Sequence, residues 1–284
     1  MGIYSQAVAL AGRAGLGSAL SALERRRFGP SHIRAVAYHG VSDAHAGAFA
    51  RQLDYLCQRY ESVDEEGLLR FLSGEERGRP GIIISFDDGL ADNYRNAAPL
   101  LEERGLRGWF FVVSGLLDCL EAGHGDFCGG HDIIAPPASR GRIGMSWDEA
   151  RDLAARGHVL GCHGASHARY KSSLSDEAIA EDLAAAALRM RQELSRKPRS
   201  FAWVGGEADT YKPSSSALIA RAGFELSFTT LSAAITGGAN PLLLHRTVLD
   251  ADMDVASMRV KLHGLSDLVH RLSRARVNES RLSV

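Results

Sequence analysis

Short apolar runs alternate with stretches of helical period along most of the chain. Residues Ile33 to Tyr38 (IRAVAY), Ile82 to Phe86, Trp109 to Val113 (WFFVV), His158 to Cys162, Ser200 to Val204 and Leu226 to Thr229 are apolar or small at almost every position. That is the pattern of strands buried on both faces. Between them, residues Ser175 to Arg196 place Ile179, Leu183, Ala187, Met190 and Leu194 at steps of three and four, an apolar stripe with charges opposite. Ser146 and Glu149 have capping-box spacing, and Gly157 stands where the helix they open should stop. A repeated strand, helix, strand order predicts a mainly parallel sheet covered by helices, open or closed into a barrel. In either form the working residues gather at the carboxyl ends of the strands.

Three stretches fall outside this alternation. Residues Leu117 to Met145, rich in Gly, His, Asp and Pro, predict a lid-like excursion over one end of the sheet. The first thirty residues predict a short amphipathic helix rather than a signal peptide, because Arg13 and several glycines interrupt the Ala-rich run and Arg25 to Arg27 follow it. Near the other end, Met258, Leu262, Leu265, Val269 and Leu272 form a helical stripe with Arg and Lys opposite. It is expected to pack on the barrel; pairing of subunits and contact with an anionic membrane surface are the alternatives.

Composition narrows the function classes. With 33 Lys plus Arg against 34 Asp plus Glu in 284 residues, the chain lacks the basic excess that binding a phosphate backbone needs, so nucleic acid is not an expected partner. No apolar run reaches the roughly 20 residues that span a bilayer. Cys57, Cys119, Cys128 and Cys162 contain no C-x-x-C pair and predict reduced thiols in a cytosolic compartment.

Candidate chemistry sits at two strand ends. In "SFDDG", Asp87 and Asp88 follow an apolar run directly, and Gly89 lets the backbone turn. Adjacent residues leaving a strand point in different directions, so one carboxylate can face a cation while the other faces what that cation binds. A divalent ion would also relieve their mutual repulsion. In "HVLGCHGASH", a second strand delivers His163 and His167, a His-x-x-x-His pair that can converge on one cation. Two imidazoles and one carboxylate leave coordination positions open, as catalytic metal sites require. Such a set favours Zn2+ but also accepts Co2+, Ni2+, Fe2+ or Mn2+.

These two motifs, with "AVAYHGVSD", "FARQLDYLCQRYESVDEEGLLRFLSG", "MSWDEARDLAARGHVLG" and "KPRSFAW", resemble the polysaccharide deacetylases, the NodB-homology or carbohydrate esterase 4 family, over roughly residues 33 to 250. The resemblance implies a distorted (β/α) barrel and metal-dependent removal of acetyl groups from N-acetylated sugars. Carried over by motif, Asp88, His163 and His167 are the metal ligands and Asp87 is the general base. The family's Pro-Tyr-Gly motif aligns with "FAWVGGE", so Val204 and Gly205 stand for Pro and Tyr, and the Gly205 N–H takes the place of the oxyanion donor. Ala202 stands where some relatives carry an arginine that orients the base. In "PLLLHRTVLD", His245 is placed as a general acid and Arg246 as a replacement for that arginine.

On this basis the chain divides into an N-terminal helical extension (1–30), a deacetylase-like catalytic domain (31–255) with the insertion at 117–145, and a C-terminal amphipathic helix and tail (256–284). The expected location is cytoplasmic, at the inner face of the membrane if the substrate is a lipid-linked glycan precursor. Two other readings stand beside the N-deacetylase: a hydrolase of a non-peptide C–N bond in a small amide, and a catalytically silent carbohydrate-binding relative. His39 is weighed as a cleft-lining residue against a satisfied residue of the rim, and is left out of the catalytic set. Cys119, His124, Cys128 and His131 have the spacing of no standard zinc site. Trp109, Trp147 and Trp203 are weighed as sugar-stacking residues, with Trp109 expected in the core.

Overall fold

The computed structural model describes residues 3–119, 123–134 and 142–279. Within the expected lid, residues 120–122 and 135–141 lie outside them. Among the described residues nine strands form one sheet: β1 Ile33–Tyr38, β2 Glu61–Ser62, β3 Gly81–Phe86, β4 Gly108–Val112, β5 Val159–Cys162, β6 Ser200–Ala202, β7 Leu226–Thr229, β8 Leu244–His245 and β9 Thr247–Val248. Their order is β8-β7-β6-β5-β4-β3-β1-β9, with β2 beside β3, and every ladder is parallel. The single stretch from Leu244 to Val248 pairs with β7 at its start and with β1 at its end. It therefore bridges the two edges and all but closes the ring, giving the distorted barrel of parallel strands with helices outside.

The six long apolar runs form strands because both of their faces are covered. Ile33, Ala35, Ile83, Trp109, Phe111, Val159, Ala202, Phe228 and Leu244 meet in one cluster inside the ring. Val36, Tyr38, Ile84, Phe86, Phe110, Val112, Leu160 and Phe201 meet the helices on the other face. The interior is tight enough that a Cβ on Gly161 would lie 2.4 Å from the Phe111 ring, so that ring packs on bare backbone of β5. Toward the carboxyl ends the same inward face turns polar, with Ser85, Asp87, His163 and Arg246, all buried.

Local signals set the helix ends. Ser146 and Glu149 form the capping box of Trp147–Ala155, and the Ser175 hydroxyl accepts from the Ala178 N–H to start Asp176–Leu194. The C-terminal stripe behaves differently from its sequence pattern. Val255–Val260 is followed by a break at His263 and Gly264, where Gly264 has φ 133°, before Ser266–Val269 and Arg271–Glu279. Met258 and Leu262 are buried, whereas Val269 and Leu272 turn outward. The N-terminal segment forms two helices, Ile3–Arg13 and Leu16–Phe28.

A buried polar network ties both chain ends to the ring. Glu24 receives Arg34 at 2.5 Å and the His263 imidazole, while Arg34 also holds Asp267 at 2.9 Å. The Ser232 hydroxyl donates to Asp267 at 2.6 Å and contacts Thr247 Oγ1 on the closing segment at 2.6 Å. Burial pushes the Glu24 carboxyl upward, but His263 and Arg34 outweigh it and hold it at about 2.

Candidate active site

Asp87 continues the inward face of β3. In an undisturbed strand Asp88 would point the opposite way, but its backbone is left-handed, with φ 74°, and the alternation breaks there. His167 is likewise left-handed, with φ 56°. Among the described residues only four non-glycine residues have positive φ, and these are two of them, so backbone strain concentrates at this rim.

The result is a compact donor set. Asp88 Oδ1 lies 3.5 Å from His163 Nε2 and 3.3 Å from His167 Nε2, with all three side chains at most 7 % exposed. His163 Nδ1 donates to the Ala202 carbonyl at 2.8 Å, and His167 Nδ1 donates to the His131 carbonyl at 2.5 Å. With each proton committed to a carbonyl, both Nε2 lone pairs point at the centre. Asp88 Oδ1 is buried without a hydrogen-bond partner. Such an orphaned carboxylate oxygen facing two imidazole lone pairs is costly for a polar cluster and suited to a cation. Among the described residues this is the one His/Cys/Asp/Glu group close enough to hold a metal ion. Burial lowers the His163 pKa to about 4, which keeps that ring neutral. For His167, burial pulls the pKa downward, but Asp88 outweighs it and the net shift is upward.

Asp87 stands beside this set in a different role. Arg246 Nη1 and Nη2 reach its two oxygens at 2.6 and 2.9 Å. Nη1 also donates to Ser85 Oγ at 3.0 Å, and the guanidinium carbon lies 5.2 Å from the centre of the Phe111 ring. Burial raises the Asp87 pKa, yet Arg246 and His163 more than compensate and bring it to about 2.

The structure thus brings together Asp87, Asp88, His163, His167 and Arg246. It does not bring His245 to them. Its neighbour Arg246 takes the inward position, and His245 takes the outer face, where its Nδ1 lies 2.7 Å from Thr229 Oγ1. Burial there lowers its pKa to about 4, and the charges it senses are Arg274, Asp267 and His270. Gly205 follows β6 three residues after the carbonyl that orients His163. His39 is exposed just past β1 and acts electrostatically on both Asp87 and Asp88, and a cavity of about 640 Å³ opens beside it. Cys128 is buried near Asp88, and burial above all pushes its thiol upward, away from the thiolate a metal needs. All three tryptophans are buried with their indole N–H groups engaged, Trp109 donating to Val63 O, Trp147 to the exposed Asp118 and Trp203 to Ser227. None is presented for stacking on a sugar.

One residue that sequence reasoning missed is Asp182, on the helix Asp176–Leu194. It accepts from Ala165 N, Ser166 N, Ser166 Oγ and Tyr170 Oη at 2.6 to 3.2 Å, gripping the turn between the two histidines. Asp182→Ala is expected to weaken metal binding by about 10- to 100-fold, read by competition with a chromophoric chelator. An unchanged affinity would mean that the turn holds its shape without this anchor.

The polysaccharide deacetylase family model matches residues 74–226 of the chain. The fold is similar to that of the Streptococcus pyogenes deacetylase PplD solved in complex with acetate, at TM-score 0.66 and 18% identity over 82% of this chain and 99% of that one. It is also similar to IcaB from Ammonifex degensii, at TM-score 0.65 and 24% identity over 84% and 98%. A de-N-acetylase from Aggregatibacter actinomycetemcomitans gives TM-score 0.63 and 17% identity over 81% and 100%. No curated protein sequence matches the chain significantly.

Proposed function

The chain belongs to the polysaccharide deacetylase family, metalloenzymes that hydrolyse N-acetyl amide bonds, and we propose that it removes an acetyl group from an N-acetylated sugar in a polysaccharide or glycan precursor with a divalent cation held by Asp88, His163 and His167. The observation that carries this reading is the partnerless Asp88 Oδ1 facing two Nε2 lone pairs. Zinc is the cation we assign from the donor types, with Co2+, Ni2+, Fe2+ and Mn2+ as possible substitutes. A cation bound there supplies Lewis acidity to the amide carbonyl and to the attacking water.

The chain's own residues do the rest. Asp87 is held ionised, and Arg246 occupies one lone-pair direction on each oxygen, leaving another on each to accept a proton from the attacking water. A carboxylate this acidic takes that proton only from an activated water, which fits its place beside the cation set. The Gly205 N–H is the proposed donor to the carbonyl oxygen as negative charge gathers on it. Because His245 lies on the outer face, His39 at the open rim is the group we assign to protonate the leaving amine.

Acetate release from a panel of N-acetylated oligosaccharides and small amides tests the reading. Release from the sugars, abolished by a chelator and restored by Zn2+, is the expected result. Release from small amides alone would move the substrate class, and no release from any compound in the presence of metal would favour a silent carbohydrate binder.

A further inference from the structure

Large exposed apolar side chains are not spread evenly over the molecule. Among the described residues nine stand out, and seven of them lie on the terminal helices: Tyr4, Leu10, Leu16, Leu23, Leu268, Val269 and Leu272, with Leu268 66 % and Leu272 74 % exposed. On Leu16–Phe28, the side chains of Leu16, Leu20 and Leu23 recur at helical spacing and lead to Arg27 one turn on. The break at Gly264 swings the last helices so that Leu268 joins the same surface: Leu20, Leu23, Arg27, Leu268 and Arg271 line one hollow of about 530 Å³. The two ends of the chain, more than 230 residues apart in sequence, thus build one apolar face.

Charge on that face differs from the rest of the chain. The helices that build it, within residues 16–28 and 266–279, hold Arg25, Arg26, Arg27, Arg271, Arg274 and Arg276 against three acids, in a chain whose net charge is −1. Of those acids, Glu24 and Asp267 are already engaged by Arg34 and His263. Exposed leucines ringed by arginines suit an anionic bilayer surface, where the apolar groups enter the headgroup boundary and the guanidiniums meet phosphates. A second copy of this face would bring the same arginines against one another.

We propose that the face formed by the helices Leu16–Phe28, Ser266–Val269 and Arg271–Glu279 docks the protein on an anionic lipid surface. The helix Ile3–Arg13 links this face to the site, since Tyr4 and Val8 line the cavity beside His39 while Leu10 points outward. Docking would therefore bring the cleft close to a glycan carried at the membrane. The proposal stands on the surface alone and not on the deacetylase reading.

Co-sedimentation of the full chain with vesicles tests it. Binding to phosphatidylcholine vesicles containing about one-third phosphatidylglycerol is expected to be about tenfold tighter than to phosphatidylcholine alone, and to weaken as salt rises. Leu268→Gln/Leu272→Gln and Arg26→Glu/Arg271→Glu should each weaken it about tenfold with thermal melting unchanged. No sedimentation with anionic vesicles would overturn the proposal, as would binding that survives both double variants. A concentration-dependent dimer abolished by Leu268→Gln/Leu272→Gln would assign the face to a second copy instead.

Discussion

Asp87→Asn is expected to lower kcat on an N-acetylated glycan by about a thousandfold while keeping the divalent-cation binding proposed for Asp88, His163 and His167. Asp88→Asn should lose both. The two carboxylates are neighbours in sequence, yet the geometry separates their work. Asp88 faces His163 and His167, whereas Asp87 faces Arg246, whose guanidinium also donates to Ser85. Asparagine at position 87 preserves size and still accepts one guanidinium N–H through its amide oxygen, but it cannot take a proton from water at neutral pH. His39→Ala is expected to keep that cation binding as well and to lower kcat by about a hundredfold if His39 has the proposed role of proton donor to the amine. Metal analysis beside acetate-release kinetics separates these cases. An Asp87→Asn enzyme within tenfold of wild type would remove Asp87 from the reaction, and a metal-free Asp87→Asn protein would make it a ligand.

How much of this is legible in the sequence follows from what each element depends on. The six longer strands are legible because the barrel covers both of their faces, so nearly every position is apolar. The closing strand is not, because its run is cut by His245 and Arg246 and its two halves pair with different neighbours. The grouping of Asp88, His163 and His167 could be read because each motif ends an apolar run. Which of His245 and Arg246 turns inward could not be, since a strand alternates faces and only the register decides. Leu244 joins the interior cluster, which puts Arg246 inward and His245 outward. The groups that hold the histidines were out of reach for another reason. Two of them are backbone carbonyls, at Ala202 and His131, which leave no mark in a sequence. The third, Asp182, reads as one more polar position on an amphipathic helix. The C-terminal stripe misled beyond Leu262 because periodicity does not reveal that the helix breaks at Gly264.

Arg246→Met is expected to cost about 3–5 kcal/mol of stability at neutral pH in chelator-treated protein, because it leaves the Asp87 carboxylate buried without its partner. The pH dependence of that loss identifies its cause. In the wild-type chain the Asp87 pKa is lowered from 3.8 to about 2, so the pair stabilises the fold above about pH 4 and loses that contribution as pH falls toward 2. Without Arg246, burial is left as the largest influence and pushes the carboxyl above its unfolded value. Ionising it then works against folding, so the variant's deficit should be greatest at neutral pH and shrink as acid neutralises the group. Urea unfolding across a pH series measures this, and a deficit that stays flat from pH 7 down to about 4 would mean that Arg246 acts through packing on Phe111 instead. Activity should follow the same logic, with the acid limb of kcat/KM moving to higher pH as the base becomes easier to protonate. Arg246→Lys should recover part of the stability but little of the rate, since a single ammonium cannot hold both Asp87 oxygens and Ser85 in one plane.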